Sequence, residues 1–180
     1  MKIARLDRKV IRRAKAQLEK NTLRLSEDWF ATRKGKRVVN WSKIPMPDVA
    51  GVYALRIDHR YPKWRHLKKV HLHGSKTIGK VIYQPETFKE CNGWVYVGTT
   101  GSGIRTRFQR HLSRTNVSGH MIYKAMKSFF GEKDPVAAVL KYGRLNWIAL
   151  PGSENAVNRF FVEVKLIVEH FPLFNAKTEH

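Results

Sequence analysis

Apolar residues recur at intervals of three and four near the amino terminus, at Ile3, Leu6, Val10, Ala14 and Leu18. This spacing predicts an amphipathic helix over residues 3–20, whose opposite face is basic. An acidic start at Ser26–Asp28 predicts a second, short helix that reaches Thr32. A basic loop is expected at residues 33–37, and two prolines make residues 44–47 a connector.

Strand-like patterns follow. Residues 51–58 and 93–99 are rich in β-branched and aromatic side chains, which predicts two strands, and residues 140–150 predict a third. Two shorter pieces at residues 70–73 and 80–83, with glycines between them, predict a hairpin. The sequence therefore predicts a small, mainly antiparallel sheet.

Helical spacing returns at residues 104–113, at residues 118–130 before Gly131, and at residues 153–171 before Pro172. The apolar face of the last helix runs through Val157, Phe160, Phe161, Val164, Val168 and Phe171. The predicted fold class is α+β, with a small antiparallel sheet flanked by helices. We divide the chain into a basic helical extension (1–50) and a domain (51–180) that contains an insertion at about 56–92.

The chain is strongly basic. Its 180 residues contain 35 Lys and Arg against 14 Asp and Glu, which gives a net charge of +21 and a pI near 10.5. A charge of this sign attracts polyanions and speeds their capture. Solubility alone needs a far smaller charge, so we expect a nucleic-acid partner; an acidic membrane surface or protein is the alternative.

Composition also indicates where the protein acts. No apolar run approaches the roughly 20 residues that a membrane-spanning helix needs, and the amino terminus lacks the apolar centre of a signal peptide. Cys91 is the only cysteine, so no internal disulfide is expected and a reducing compartment is indicated. We therefore expect a cytoplasmic protein with no membrane partner.

The predicted helix 104–113 is the first candidate for chemistry. Arg107 and His111 lie four residues apart, so both project from one face, which Arg110 and Arg114 extend. A helix with a cationic stripe suits contact with a phosphodiester. An ordinary solvated basic face is the alternative.

Three further residues are candidates for a functional site only when they are considered together. Glu163 lies at the rim of the last helix's apolar face, about 60° from Phe160, where it could bind a hard cation at a cleft edge. Taken alone, an ordinary surface glutamate is the simpler interpretation. Tyr53 and Tyr96 lie in separate predicted strands beside glycines, and a strand tyrosine is usually a half-buried packing residue.

Together these residues form a familiar pattern. Gly51-Val52-Tyr53 and the later Val95-Tyr96-Val97-Gly98 resemble the paired motif of the GIY-YIG nuclease superfamily, with valine in place of isoleucine. Arg107 and His111 on the next helix, Glu163 on a long helix and Asn175 after Pro172 resemble the family's remaining motifs. The resemblance covers about residues 51–175. Each motif is weak alone, but five features in the family's order are specific.

The resemblance implies a Mg²⁺-dependent DNA endonuclease, with Mn²⁺ as a substitute metal, that leaves 5′-phosphate and 3′-hydroxyl ends. Glu163 would hold the metal and Arg107 would stabilise the phosphoryl group. Tyr53 would accept a proton from the attacking water, with His111 as a relay. Tyr96 would position the water or phosphate, and Asn175 would brace the site. The catalytic residues would thus be Tyr53, Tyr96, Arg107, His111, Glu163 and Asn175.

Within the superfamily, the chain is most similar to the restriction endonucleases, which share an amino-terminal extension, an insertion and the ending seen at residues 172–175. Some forty residues separate the two tyrosine motifs, where simpler members have a short connection. The leading hypothesis is a prokaryotic or phage enzyme that cuts both strands as a homodimer on a palindrome. A nicking or homing-type nuclease and a non-catalytic DNA-binding protein remain open.

Double-stranded DNA is the expected partner, and basic residues in three segments are candidates to contact it. They are Arg105, Arg110 and Arg114 on helix 104–113, Lys68, Lys69 and Lys76 in the insertion, and Arg12 and Arg13 on the first helix. Arg105 is expected to matter less to catalysis than Arg107, because it points to another side of the helix.

Overall fold

The computed structural model describes residues 8–24, 29–33, 36–58, 60–61, 76–78, 81–83, 93–112, 122–123, 126–127, 131–170, 172 and 175. In chain order its elements are α1 (Arg8–Lys20), β1 (Thr22–Arg24), β2 (Phe30–Arg33), β3 (Lys36–Val39), β4 (Gly51–Ile57), β5 (Lys76–Ile78), β6 (Val81–Tyr83), β7 (Trp94–Thr100), α2 (Ile104–Leu112), α3 (Pro135–Tyr142), β8 (Gly143–Ala149) and α4 (Ala156–His170). Short 3₁₀ turns lie at Trp41–Lys43 and Ser153–Asn155.

Four strands form the central antiparallel sheet, in the order β1-β8-β4-β7. Strand β4 lies inside the sheet between β8 and β7, and its residues 51–55 are all buried. Side chains alternate between the two faces of a strand, so a strand covered on both faces is apolar throughout. Two separate two-stranded ribbons, β2–β3 and β5–β6, accompany this sheet. The α+β class with a small antiparallel sheet is confirmed.

One face of the sheet is covered by α1 and α4. Ala14 and Leu18 of α1 join Val162 and Leu166 of α4 in a cluster with Val52 and other sheet residues. The Nζ atom of Lys15 forms an ion pair with the Glu169 carboxylate, which ties the two helices together. The described part of the predicted extension is therefore packed onto the sheet, and β1 pairs with β8.

The opposite face is covered by α2 and α3. Their apolar residues pack with Tyr53 and Leu55 of β4. The buried members from α2 and α3 are Ile104, Phe108, Leu112, Ala138, Val139 and Leu140. Residues 122–123 and 126–127 are helical, as predicted for that part of residues 118–130, and Ile122 and Met126 belong to the same core.

Two sequence predictions between residues 26 and 37 were wrong. Residues 30–32, expected in a short helix, belong to β2, which pairs with β3 from Phe30 opposite Val39 to Arg33 opposite Lys36. The pairing of two segments rich in β-formers outweighs the acidic start at Ser26–Asp28. For the same reason, the expected basic loop at 33–37 contributes its ends to this hairpin, and Ser26–Asp28 lie outside the described residues.

Helix α3 was not predicted, and the strand expected at 140–150 begins only at Gly143. Asp134 caps α3 by accepting a hydrogen bond from the Ala137 N–H (3.2 Å), and Pro135 occupies the first turn. This acidic cap followed by proline was the signal available in the sequence. In the insertion, the hairpin pairs residues 76–78 with 81–83, while the strand expected at 70–73 lies outside the described residues.

The last helix is confirmed, but its inward face is not the predicted one. The buried residues of α4 are Asn158, Arg159, Val162 and Leu166, whereas Phe160, Phe161 and Val168 are exposed. Arg159 faces inward because backbone carbonyl groups accept its hydrogen bonds. The Arg159 guanidinium donates to the carbonyl oxygens of Leu150 (2.6 Å) and Gly152 (2.8 Å). A pattern of apolar residues does not reveal such partners.

Candidate active site

The pairing of β4 with β7 brings the two tyrosines of the sequence motifs together. Tyr53 is opposite Gly98 in the register, and the rings of Tyr53 and Tyr96 lie with their centroids 6.0 Å apart. A Cβ atom on Gly98 would lie 2.8 Å from both the Tyr53 hydroxyl oxygen and Cε1 of Tyr96. The glycine of the second motif is therefore needed because it leaves room for both side chains.

Helix α2 adds His111 and Arg107 to the tyrosines. The Tyr53 hydroxyl lies 2.6 Å from Nε2 of His111, and the rings of Tyr96 and His111 are 4.8 Å apart. Arg107, one helical turn earlier, hydrogen-bonds Tyr53 and lowers its pKa, but burial dominates and raises that pKa well above its ordinary value. The shared face predicted for Arg107 and His111 is confirmed.

A carboxylate that the sequence did not single out fixes the start of α2. Asp48 accepts hydrogen bonds from the backbone N–H (3.0 Å) and hydroxyl (2.8 Å) of Thr106. A Cβ on Gly103 would overlap the Asp48 carboxylate, so glycine permits this contact. The Arg105 guanidinium also lies 3.8 Å from Asp48. Asp48 is 55 or more residues from these partners, so only the folded chain reveals its capping role.

Glu163 reaches the other side of the tyrosine pair from α4. The backbone N–H of Thr99 in β7 donates a hydrogen bond to its carboxylate, and Arg107 lies within electrostatic range. Burial raises the pKa of Glu163 from its ordinary 4.5 to about 7, against the lowering effects of Thr99 and Arg107. Burial also raises the pKa of Tyr96, and the Glu163 carboxylate adds to that rise. Glu163 and Tyr96 are thus electrostatic neighbours.

Asn175 completes the group from beyond α4. Its Oδ1 accepts a hydrogen bond from the Val97 N–H (2.8 Å), and its Nδ2 donates to the Val97 carbonyl oxygen (2.7 Å). Val97 is the residue between the second motif's tyrosine and glycine, and among the described strands β7 is the last of the sheet on this side. The side-chain amide therefore holds the motif through its backbone, as expected of a brace.

The predicted DNA contacts are spread over the molecule. Arg110 is exposed on α2, the helix that also carries Arg107 and His111. Arg12 and Arg13 are exposed on α1, on the opposite face of the sheet from α2. Lys76 begins β5, and three other candidates, Lys68, Lys69 and Arg114, lie outside the described residues. The structure does not bring Arg12 and Arg13 together with the tyrosine site.

Glu163 is the carboxylate that the sequence assigned to a metal ion. Among the described residues, no group of three or more His, Cys, Asp and Glu side chains could hold a metal. Mg²⁺ is commonly held by one or two carboxylates, with water and phosphate oxygens as its other ligands. Glu163 could be one such ligand, because a divalent cation would compensate the negative charge of its partly buried carboxylate.

The raised pKa of Glu163 predicts a pH-dependent cost to folding. Below pH 4.5 the carboxyl is protonated in both states, whereas above about 7 the folded protein contains a buried anion. The stability of the metal-free protein should therefore fall across this window by about 3 kcal/mol from this group. Glu163→Gln should remove the loss, and urea unfolding in EDTA at pH 5 and pH 8 measures it. If the free energies of unfolding of the wild type and of Glu163→Gln differed by the same amount at pH 5 and at pH 8, the prediction would be contradicted.

Within the described part of the chain, no helix combines the length and apolar character required to cross a bilayer. Comparisons of the chain with protein-family models, with curated proteins and with solved structures found no match.

Proposed function

We propose that the protein is a metal-dependent DNA endonuclease of the GIY-YIG type. The observation that carries the proposal is a convergence: six residues first grouped by sequence motifs, from position 53 to position 175, meet around the β4–β7 pair. They come from two strands, two helices and the segment after α4, and they are Tyr53, Tyr96, Arg107, His111, Glu163 and Asn175. If each residue had only a separate structural role, the six would not need to lie close together.

Burial supports a specific proton path. Tyr53 is 0% exposed and His111 is 2% exposed, whereas Tyr96 is only partly buried. The attacking water would therefore give its proton to the Tyr96 hydroxyl. Tyr53 hydrogen-bonds both Tyr96 and His111, so it would take a proton from Tyr96 and pass its own to His111. This order differs from the direct role for Tyr53 expected from the sequence. It avoids a free tyrosinate at a site where burial raises the pKa of Tyr53.

Arg107 and Glu163 would act on the phosphodiester. Arg107 is partly exposed beside both tyrosines, so its guanidinium can donate charge-assisted hydrogen bonds to a phosphoryl oxygen that gains charge. Glu163 would hold Mg²⁺, or Mn²⁺ in its place, and the ion when bound would supply Lewis-acid stabilisation of the phosphate and leaving oxygen. Hydrolysis would leave 5′-phosphate and 3′-hydroxyl ends.

Double-stranded DNA is the proposed substrate. The net charge of +21 supplies long-range attraction, and Arg110, exposed on the helix that carries Arg107, is placed to contact a neighbouring phosphate. We favour site-specific cleavage of both strands in a prokaryotic or phage cytoplasm. Nicking of one strand is the main alternative, and a non-catalytic DNA-binding protein is the second.

A cleavage assay tests the proposal. The purified protein should cut plasmid and mixed-sequence linear DNA in Mg²⁺ and leave both intact in EDTA. End-sequencing of the fragments should give one recurrent sequence with 5′-phosphate ends, and linear rather than nicked plasmid would distinguish two-strand cutting. DNA that is bound but stays intact in both Mg²⁺ and Mn²⁺ would refute the endonuclease and support the non-catalytic alternative.

A further inference from the structure

The outer side of α4 carries an apolar surface that the fold does not cover. Phe160, Phe161 and Val168 are 50%, 39% and 59% exposed, and Val157 and Val164 are partly exposed. At about 100° per residue, these five positions lie together on the side opposite the buried residues Val162 and Leu166. We call Val157, Phe160, Phe161, Val164 and Val168 the outer stripe.

The spacing in the outer stripe is that of a helix-pairing seam. Val157, Phe161, Val164 and Val168 follow each other at intervals of four, three and four, which keeps them in line along a helix that packs against another helix. No charged residue interrupts the line. Lys165 and Glu169, at its border, form an ion pair (3.8 Å), and Glu169 also pairs with Lys15 of α1.

We propose that the outer stripe binds the same stripe of a second copy of this chain, with the two α4 helices antiparallel about a two-fold axis. Centring the axis between Val162 and Glu163 places Phe161 opposite Val164 of the second copy. It also places Val157 opposite Val168 of the second copy. Phe161 then meets a smaller valine, and Phe160 lies opposite Lys165 of the second copy, which lets two identical surfaces interlock.

The low charge around α4 allows a second copy to bind there. Two chains of net charge +21 repel each other over most of their surface, so they can associate only where charge is low. Residues 150–180 contain three Lys and Arg against four Asp and Glu, and the outer stripe itself is uncharged. Nucleic acid gains nothing from an apolar surface, because its attraction to a protein is mainly that of its phosphates to positive charge.

The symmetry has a consequence that rests on the proposed function. The two-fold axis of an antiparallel helix pair is perpendicular to the plane that contains both helices. Rotation about it exchanges the helices, and a residue above this plane in one copy is also above it in the other. Both Glu163 carboxylates would therefore be on the same side of the helix pair, where one duplex can reach both sites. Dimer formation itself requires neither DNA nor metal, so its failure and that of the proposed nuclease are separate results.

Sedimentation equilibrium without DNA or metal tests the proposal. The wild-type protein should be a dimer at micromolar concentrations, and Phe161→Glu should raise its dissociation constant by about a hundredfold or more, because it would bury an unpaired charge. Ala16→Glu is the matched control: it adds the same charge at an exposed position of α1 and should leave the dimer intact. A monomeric wild type, or equal dissociation constants for the two variants, would overturn the proposal.

Two further variants guard against misfolding and test the helix direction. Val168→Glu changes the most exposed residue of the stripe, so it should lose dimerisation without losing the folded circular-dichroism spectrum. In a Cys91→Ser background, Val157→Cys and Val168→Cys should cross-link when mixed and not when alone. In the antiparallel pair, the two copies of residue 157 would be about 16 Å apart along the helix axis, and so would the two copies of residue 168. Cross-linking of either variant with itself, and not with the other, would refute the antiparallel arrangement.

Discussion

Glu163→Gln should abolish DNA cleavage while leaving DNA binding intact or tighter. The substitution keeps the size of the side chain but removes the charge that would hold the metal, so we expect the single-turnover rate to fall by about a thousandfold or more. Binding should persist because a negative charge facing the phosphates is lost. Cleavage at saturating protein, and fluorescence anisotropy on the same duplex, measure the two effects separately.

The control for this experiment is Glu154→Gln, an exposed glutamate in the turn before the same helix. It removes one negative charge from the same region but lies two helical turns from Glu163, so its cleavage rate should be that of the wild type. A Glu163→Gln protein that cuts at the wild-type rate in Mg²⁺ would show that the proposed site is not where hydrolysis occurs.

Arg107→Ala should be the second most damaging change. Removing a donor aimed at developing charge costs on the order of 3 kcal/mol or more of transition-state stabilisation, which corresponds to a hundredfold or greater loss of rate. The guanidinium also lies beside Tyr53, Tyr96 and Glu163, so its loss should alter the pH profile of cleavage.

Arg105→Ala and Arg110→Ala separate this effect from a general loss of positive charge. Both residues lie on α2, but Arg105 is near Asp48 and Arg110 is exposed. Arg107, and neither of these two residues, is among the groups that shift the pKa of Tyr53 and Tyr96, so we expect weaker DNA binding at most and a single-turnover rate near that of the wild type. Equal rates for Arg107→Ala and Arg105→Ala at saturating protein would contradict the assignment of Arg107.

Local sequence was sufficient for the parts of the site that lie on one element. The four-residue interval between Arg107 and His111 defines a helix face whatever the helix packs against, and both residues do meet Tyr53. This inference depends only on backbone periodicity. The close approach that Gly98 allows between the two tyrosines was not inferred from the sequence, although it depends only on side-chain size.

Features that depend on distant partners were not accessible in this way. The orientation of α4 depends on Arg159, which faces inward because the carbonyl oxygens of Leu150 and Gly152 accept its hydrogen bonds. The apolar residues counted from the sequence therefore predicted the wrong inward face. Asp48 was overlooked for the same reason, since its partner Thr106 lies across the fold. The strand at 30–33 exists through its pairing with residues 36–39.

The hydrogen bonds of Asn175 also bear on the solubility of the protein. In the part of the chain that the structure describes, β7 is the end strand of the sheet. The outward backbone groups of an end strand can recruit a strand from another molecule, which starts aggregation. Asn175 occupies both the N–H and the carbonyl of Val97, and Glu163 occupies the N–H of Thr99. Two side chains of the candidate active site thus also occupy backbone groups on the exposed edge of β7. Residues near the carboxyl terminus therefore help to keep a chain with an exposed apolar helix from forming fibrous assemblies.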